Sequence, residues 1–542
     1  MSSTTRSPRA RTGLALLVLF ILPTTARAQF GGASDQKAAP AVKLKEPVDG
    51  RIYQRGADGK ADIPIVLDET AEGKDASITG VYFSSSPASP GPHPSARFED
   101  GKLVGVPIGG PYNLSVQVKV GYEIRQFIIN KLYVGDLWVL AGQSNMEGVG
   151  NLLNVAQPDE QVRLLGMDGK WVKAEEPLHW LVDSPDAVHS GNPDDRAKRS
   201  TESHKSRKKG AGLGLAFGKA MAEATKVPVG LVATAHGGTS MEQWSPSKKG
   251  EEGKSLYGSF LRQVKLAGGK VKGVLWYQGE SDAMNPDATK IYAKTFADFI
   301  AAVRDDLGQP DLPFYYVQIG RFINGGNPKN WNAVQDAERL LAERVPNTAV
   351  VTGIDLELDD GIHVGTQGLK RLGHRLSKIA LRELFGQVGA TTPTFDRVNK
   401  GPNNTLVVKF KGVNIAAPDA ARPSNFPGAS PALANPAQAG QFGFAGAIPA
   451  SGATPSRVVG LKPHRHIAGF SIHKEDGAEV PFLIFDAAVG PARDTVILKL
   501  TGPPPEKSFL HYGQGFDPFC NLVDALDMAV PVFGPIPLDD AK

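Results

Sequence analysis

From about residue 131 to residue 384, short apolar runs alternate with amphipathic stretches, and this alternation constrains the fold more than any other feature of the chain. Val134–Ala141 reads as a strand, Leu213–Ala224 as a helix and Val229–Thr234 as a strand; Phe260–Ala267 then precedes the strand Val274–Tyr277. Ile291–Leu307 reads as a helix, Phe314–Ile319 as a strand, Val334–Arg344 as a helix, Ala349–Thr352 as a strand and Gly368–Leu384 as a closing helix. Strands that follow one another through helical crossovers lie parallel, with helices on both faces of the sheet. The expected core is therefore α/β, and ligands of such sheets bind beyond the carboxyl ends of the strands.

The flanks read differently. Residues 29–40 are small and polar. Within 42–130 the runs Ile63–Leu67, Val81–Phe83, Tyr112–Val118 and Arg125–Ile129 are separated by Pro and Gly turns without a helical period, which predicts a small β-sandwich. Residues 391–542 return to β character with Leu406–Phe410 and Thr495–Leu500, around a Pro-, Ala- and Gly-rich stretch, 416–455, that reads as a surface loop or insertion. The expected division is 29–130, 131–390 and 391–542.

Arg6, Arg9 and Arg11 precede the apolar stretch Gly13–Leu22, and Ala26-Arg27-Ala28 supplies small residues for cleavage before Gln29. Residues 1–28 thus read as a signal peptide, and the protein as exported to the periplasm, cell surface or medium. Ten apolar residues are too few to span a bilayer, and no later segment can span one either. Four of the 60 Lys and Arg lie in that leader and none of the 56 acids does, so the mature chain has no formal net charge. Such a balance gives no support for binding nucleic acid or an anionic membrane. Cys520 is the only cysteine; it reads as a small buried residue, and the stability of the chain must come from its cores.

Four segments at the ends of the expected strands carry chemistry. In Gly142-Gln143-Ser144-Asn145-Met146 a buried strand breaks into a tight turn, which presents the Ser144 hydroxyl at a sheet edge beside free backbone N–H groups. His236-Gly237-Gly238-Thr239 follows the next strand, and its glycines let backbone approach a substrate oxygen. Trp276-Tyr277-Gln278-Gly279-Glu280 and Asp359-Asp360-Gly361-Ile362-His363 complete the set.

In this order the four blocks resemble those of the SGNH hydrolases, in particular the sialate O-acetylesterase and acetylxylan esterase branch. The resemblance covers about residues 131–386. The flanking β regions are similar to accessory domains of sialate O-acetylesterase-like proteins, and Tyr512–Pro531 more loosely to that group's carboxyl-terminal end. The resemblance implies a flavodoxin-like three-layer α/β/α catalytic domain and an ester hydrolase without cofactor or metal. By it Ser144 is the nucleophile, His363 the general base and acid, and Asp360 the residue that orients His363. The N–H groups of Ser144 and Gly238 and the amide of Gln278 would hold the oxyanion, although the broader superfamily has Asn at the third place. Gln143, Asn145, Gly237 and Glu280 would support the site, Glu280 as a buried carboxylate bracing the Gln278 loop.

Some readings stay open. Asp359 or Asp355 could replace Asp360. His236 reads more simply as a structural residue than as a second base, and Trp244 and Trp276 as core residues than as sugar platforms. His464 and His466 have the spacing of one strand face but no ligand cluster around them. The basic run Lys198-Arg199, Lys205, Arg207-Lys208-Lys209 within 183–210 reads as a solvated loop, and in the sharper alternative as a lid drawing acidic glycan to the site. The expected function is a secreted esterase removing O-acetyl groups from carbohydrate. The alternatives are a deacylase of other small esters, or a carbohydrate-binding protein on an inactive scaffold.

Overall fold

The structure is a computed structural model that describes residues 42–69, 76–85, 96–323, 325–387, 389–414, 456–457 and 466–540. The expected signal peptide, the stretch 416–455 and His464 lie outside the described residues.

One strand, Glu123–Gly142, runs through two environments. Its first half pairs antiparallel with Gly109–Val120, which pairs in turn with Ala76–Ser85. There burial alternates: Leu114, Val116 and Val118 face a core with Ile63, Val106 and Leu132, while Ser115 and Gln117 face outward. From Leu132 onward the same strand is buried on both faces, as a central parallel strand must be. Its neighbours there are Val229–Ala233 on one side and Gly273–Tyr277 on the other. The sheet continues through Val162–Leu165 to the antiparallel edge Trp171–Lys173 beyond the first, and through Phe314–Gln318 to Thr348–Thr352 beyond the second. This is a mixed α/β fold with a large, mostly parallel sheet and additional β-rich regions at both ends.

Helices connect the strands where the apolar period indicated: Gly214–Thr225, shifted by one residue, and Leu256–Ala267, Pro286–Asp306, Pro328–Arg344 and Thr366–Phe385, which begin ahead of their apolar runs. The extra residues at the amino ends include core residues such as Leu256, Tyr257 and Trp331, and two of these ends carry capping groups. Asn285 and Asn327 each accept N–H bonds from the first turn and are followed by Pro.

Three expectations need correction. The strand expected at Val134–Ala141 is the end of a 20-residue strand, because no turn residue separates its halves, so the chain passes between the amino-terminal core and the central core without a linker. The strand Val162–Leu165 was not expected; four apolar-facing residues in a Pro- and Asp-rich stretch carry too little period to be seen. The basic run was read as a loop, yet Lys198, Arg199 and Lys205 lie on a helix, Arg196–Ser206, with no buried residue to mark it. Arg207 just after it is largely buried and donates to His179 O at 2.7 Å.

The carboxyl-terminal region forms a four-stranded antiparallel sheet, Thr394–Gly401, Thr405–Lys411, Thr495–Leu500 and Ile484–Val489, and a three-stranded one, Phe470–Lys474, Ser508–Tyr512 and Phe533–Pro537. They share a core of Leu406, Val408, Leu498, Tyr512 and Phe533. Cys520 is buried there and its thiol is pushed up to about 12 by desolvation, so it behaves as a small apolar residue. Two arginines of the closing helix fasten this region to the central one through Asp527, and one of them also forms a buried ion pair within the central region. The Arg375 guanidinium, with 0% exposure, holds Asp355 through two 2.7 Å bonds and donates to Asp527 O at 2.7 Å, while Arg371 takes the Asp527 carboxylate. Among the described residues no helix is long and apolar enough to cross a membrane.

Removing one member of such a pair strands a buried charge. Arg375→Met should therefore lower the unfolding free energy by about 3 kcal/mol or more, and adding Asp355→Asn should recover part of the loss, read by chemical denaturation. Equal stability of Arg375→Met and the wild type would show that the buried pair does not contribute to stability.

Candidate active site

The long strand can end in a nucleophile-bearing turn because Gly142 is a glycine. At its φ of 133°, a Cβ would stand 2.2 Å from Tyr277 O. The close approach lets Gln143 N donate to Tyr277 O at 2.8 Å, and Ser144 then opens a one-turn helix, Ser144–Glu147, where N–H groups have no helical acceptor. The Ser144 hydroxyl is 3.0 Å from His363 Nε2, and His363 Nδ1 is 2.8 Å from Asp360 Oδ2. Asp360 Oδ1 also accepts the N–H bonds of Ile362 and His363, at 3.0 and 2.9 Å. Burial pushes the Asp360 carboxyl up, but the His363 bond and these N–H groups outweigh it and leave the group at about 2. An ionised Asp360 accepts the hydrogen bond of Nδ1–H and keeps the proton on that nitrogen, so Nε2 faces Ser144 as a bare acceptor.

The competing acids are occupied elsewhere. Asp359 Oδ2 accepts from Asn151 N and Nδ2, at 3.1 and 2.8 Å, and Asp355 is the buried partner of Arg375. Trp244 and Trp276 are fully buried and meet edge to face at 5.3 Å, so neither is a platform for sugar. Trp244 Nε1 instead donates to Thr239 Oγ1 at 2.9 Å and steadies the Gly237-Gly238 loop. His466 Nδ1 lies 4.0 Å from Asp486 Oδ1 in the carboxyl-terminal sheets.

Gln278 is not brought to the surface of the site. It is 0% exposed, and its Nε2 donates to Thr239 O at 3.0 Å and Asp282 Oδ2 at 2.5 Å, which engages both amide hydrogens. The longer side chain folds back under the loop it was expected to stand beside, and its part is to support that loop. Glu280 also differs from expectation. Its Oε1 accepts from Asn145 Nδ2 at 2.7 Å, so it braces the serine turn and not the Gln278 loop. Asn145 Oδ1 in turn accepts Val364 N at 3.0 Å, which ties the Ser144 turn to the segment carrying His363. Desolvation raises both Glu280 and Asp282.

Gly237 N donates to Glu147 Oε2 at 2.8 Å and is therefore taken. A Cβ at Gly237 would lie 3.4 Å from Ser144 Cβ, so the loop passes directly over the serine. Gly238 follows in the left-handed region at φ 69° and is exposed. Sequence reasoning missed Glu147, Asp282 and His189; the first two had a signal in their spacing from Ser144 and Gln278, three and four residues, but His189 comes from a separate element and had none.

A serine hydroxyl, an imidazole and a carboxylate in one hydrogen-bonded line, with N–H groups at hand, can transfer an acyl group. The chain is a carboxylic ester hydrolase. Residues 134–382 match the family model described as carbohydrate esterase, sialic acid-specific acetylesterase, the family to which the four motif blocks point. Similar proteins include a probable carbohydrate esterase of Arabidopsis thaliana, 28% identical over 267 residues, which are 45% of this chain and 90% of that protein. Human sialate O-acetylesterase is 27% identical over 291 residues, 46% of this chain. The match takes in 53% of the human protein, so the chain spans about half the length of that relative. Among solved structures, a carbohydrate acetylesterase from Xanthomonas citri has a TM-score of 0.57 at 22% identity, covering 91% of this chain and 99% of that one, a likeness of fold.

Since Glu280 acts on Asn145 through an acceptor oxygen, Glu280→Gln should retain most of the esterase activity. Glu280→Ala, which leaves the Asn145 amide unpaired, should lose at least about tenfold in kcat/KM on an aryl acetate. Equal loss in both variants would mean that the charge, not the hydrogen bond, matters.

Proposed function

We propose that residues 131–390 form an SGNH-type catalytic domain, three layers α/β/α, in an exported serine esterase that removes O-acetyl groups from carbohydrate. The leader-like residues 1–28 support export, and the β-rich segments 29–130 and 391–542 stand as accessory domains. The observation that carries the reading is the line Ser144, His363, Asp360 at the end of a central parallel strand, within a segment matching a carbohydrate esterase family.

In this reading Ser144 Oγ attacks the acetyl carbonyl while His363 Nε2 takes its proton. The oxyanion of the tetrahedral intermediate is held by the N–H groups of Ser144 and Gly238. His363 then protonates the departing sugar oxygen, an acetyl-serine remains, and water activated by the same imidazole releases acetate. Asp360 keeps the tautomer and offsets the positive imidazolium. The chemistry draws on no metal or cofactor.

Ser144→Ala should reduce aryl acetate turnover by on the order of 10³ to 10⁶ with an unchanged melting temperature. Retention of a tenth of the activity would place the nucleophile elsewhere. Asp360→Asn should cost on the order of 10² or more and Asp359→Asn little; the reverse pattern would reassign the orienting acid. Because Asp360 stays ionised down to about pH 2, its titration leaves no step in the pH–rate profile above that value. A profile whose acid limb moved when Asp360 was replaced by Glu, but not when the imidazole was perturbed, would contradict this. Acetate esters should also be preferred over butyrate and longer esters, since the loop over Ser144 limits the acyl pocket, and faster cleavage of octanoate would exclude an acetyl-sized pocket.

A further inference from the structure

Beside the catalytic line runs a second chain of hydrogen bonds that the mechanism does not use. Asp186 Oδ2 accepts from both Arg262 Nε, at 2.8 Å, and Ser259 Oγ, at 2.5 Å. Ser259 Oγ is 3.0 Å from His189 Nε2, and His189 Nδ1 is 3.0 Å from His236 Nδ1. Asp186, Ser259 and His189 are all buried, and His236 is half-buried. The members come from separate elements: a short helix, Ala187–Ser190, the helix Leu256–Ala267, and the turn after the strand Val229–Ala233. The last of them is the turn that passes over Ser144.

The chain has one direction. Asp186 Oδ2, which already receives the Arg262 N–H, serves as an acceptor, so the Ser259 proton points to Asp186. Ser259 must then accept from His189, which places a proton on His189 Nε2. Two ring nitrogens facing at 3.0 Å share one proton, and desolvation holds His189 far below its ordinary range, at about 3, so that its Nδ1 is the acceptor. The shared proton therefore belongs to His236 Nδ1. Burial also lowers His236, keeping that ring neutral, so its Nε2 is a bare lone pair. Nε2 has no partner among the described residues. Burying four polar groups in series is costly compared with apolar packing, and at the His236 end the chain leaves a lone pair not consumed inside the protein.

We propose that His236 Nε2 reads a free hydroxyl of the carbohydrate beside the acetylated one, so that His236 is a specificity-determining residue oriented by His189, Ser259 and Asp186. The inference rests on the carbohydrate O-acetylesterase reading above. An acetyl group has no hydrogen to donate, so an acceptor next to the serine can be matched only by the alcohol half of the ester. His236 N donates to Gly142 O at 3.0 Å, and Gly237 follows over Ser144, so the ring starts within one residue of the reacting centre.

The test uses two methyl glycosides with one acetyl group each, identical except that the hydroxyl vicinal to the ester is present in one and replaced by hydrogen in the other. The full-length enzyme, His236→Phe, Ser259→Ala and Ser259→Thr are compared by the ratio of kcat/KM on the two, in which effects on folding yield and intrinsic ester reactivity cancel. The wild type should favour the hydroxylated glycoside by about tenfold to a hundredfold. In His236→Phe the ratio should collapse to about the value that Ser144-independent hydrolysis in buffer shows. Ser259→Ala, which keeps the ring but frees its tautomer, should lose at least half of the discrimination on a logarithmic scale, and Ser259→Thr should restore it. Should His236→Phe not fold, the Ser259 pair decides. A wild-type ratio near that of buffer hydrolysis, or variants that keep the wild-type ratio, overturns the role of His236 and leaves the esterase reading standing. If the wild type releases acetate from neither glycoside, the carbohydrate reading falls, and the role of His236 with it.

Discussion

The structure depends on one strand meeting one backbone carbonyl. Glu123–Gly142 belongs to the amino-terminal β region at its start and to the parallel sheet at its end, and Gly142 lets it close against Tyr277 so that Gln143 N reaches Tyr277 O. That contact sets where the chain leaves the sheet, and with it where Ser144 stands. The strand Val229–Ala233 on its other side delivers the His236-Gly237-Gly238 loop, and Gly273–Tyr277 delivers Gln278 and Glu280. Side chains at adjacent strand ends of a parallel sheet lie a few ångströms apart whatever their distance in sequence.

The loops above the sheet are held by withdrawn carboxyl groups as well as by apolar side chains such as Met146, Met241 and Val364. Glu147 receives Gly237 N, Glu280 receives Asn145, and Asp282 receives Gln278 and Met241 N. Desolvation raises all three, which shows how far they are withdrawn from water. Each therefore works as a hydrogen-bond acceptor for a particular loop, and a buried polar network of this kind specifies one arrangement where an apolar one would tolerate several. Asp360, by contrast, is partly exposed and held low, the condition for orienting an imidazole and stabilising its charged form.

The carboxyl-terminal region is part of the same frame. Its Asp527 meets Arg371 and Arg375 on the closing helix, and Arg375 holds Asp355 only a few residues before Asp360. On the other side of that segment Arg321 joins Leu356 O to Asp517. The segment leading to Asp360 and His363 is thus held by Arg375 and Arg321, which are in turn tied to Asp527 and Asp517 of the carboxyl-terminal region.

Much of this was legible without coordinates. Alternating period implied the α/β core because strands and helices have different spacings of apolar residues, and the short blocks pointed to Ser144, Asp360 and His363, which the fold brings into one line, because turn geometry and triad chemistry demand particular residues at short range. Less was legible where the pattern is weak. The helix Arg196–Ser206 has no apolar stripe, and the continuous strand Glu123–Gly142 changes its period midway. What the sequence by itself determined was the local chemistry: which residues could act, and at which strand ends. Only the tertiary structure decided their partners. A Gln and an Asn side chain can donate in any direction, and it is the packing around Gln278 that turned its amide away from the site and the packing around Asn145 that joined it to Glu280. The same holds for His236, whose free nitrogen is an acceptor because of Asp186, 50 residues away in the chain and three hydrogen bonds away in space.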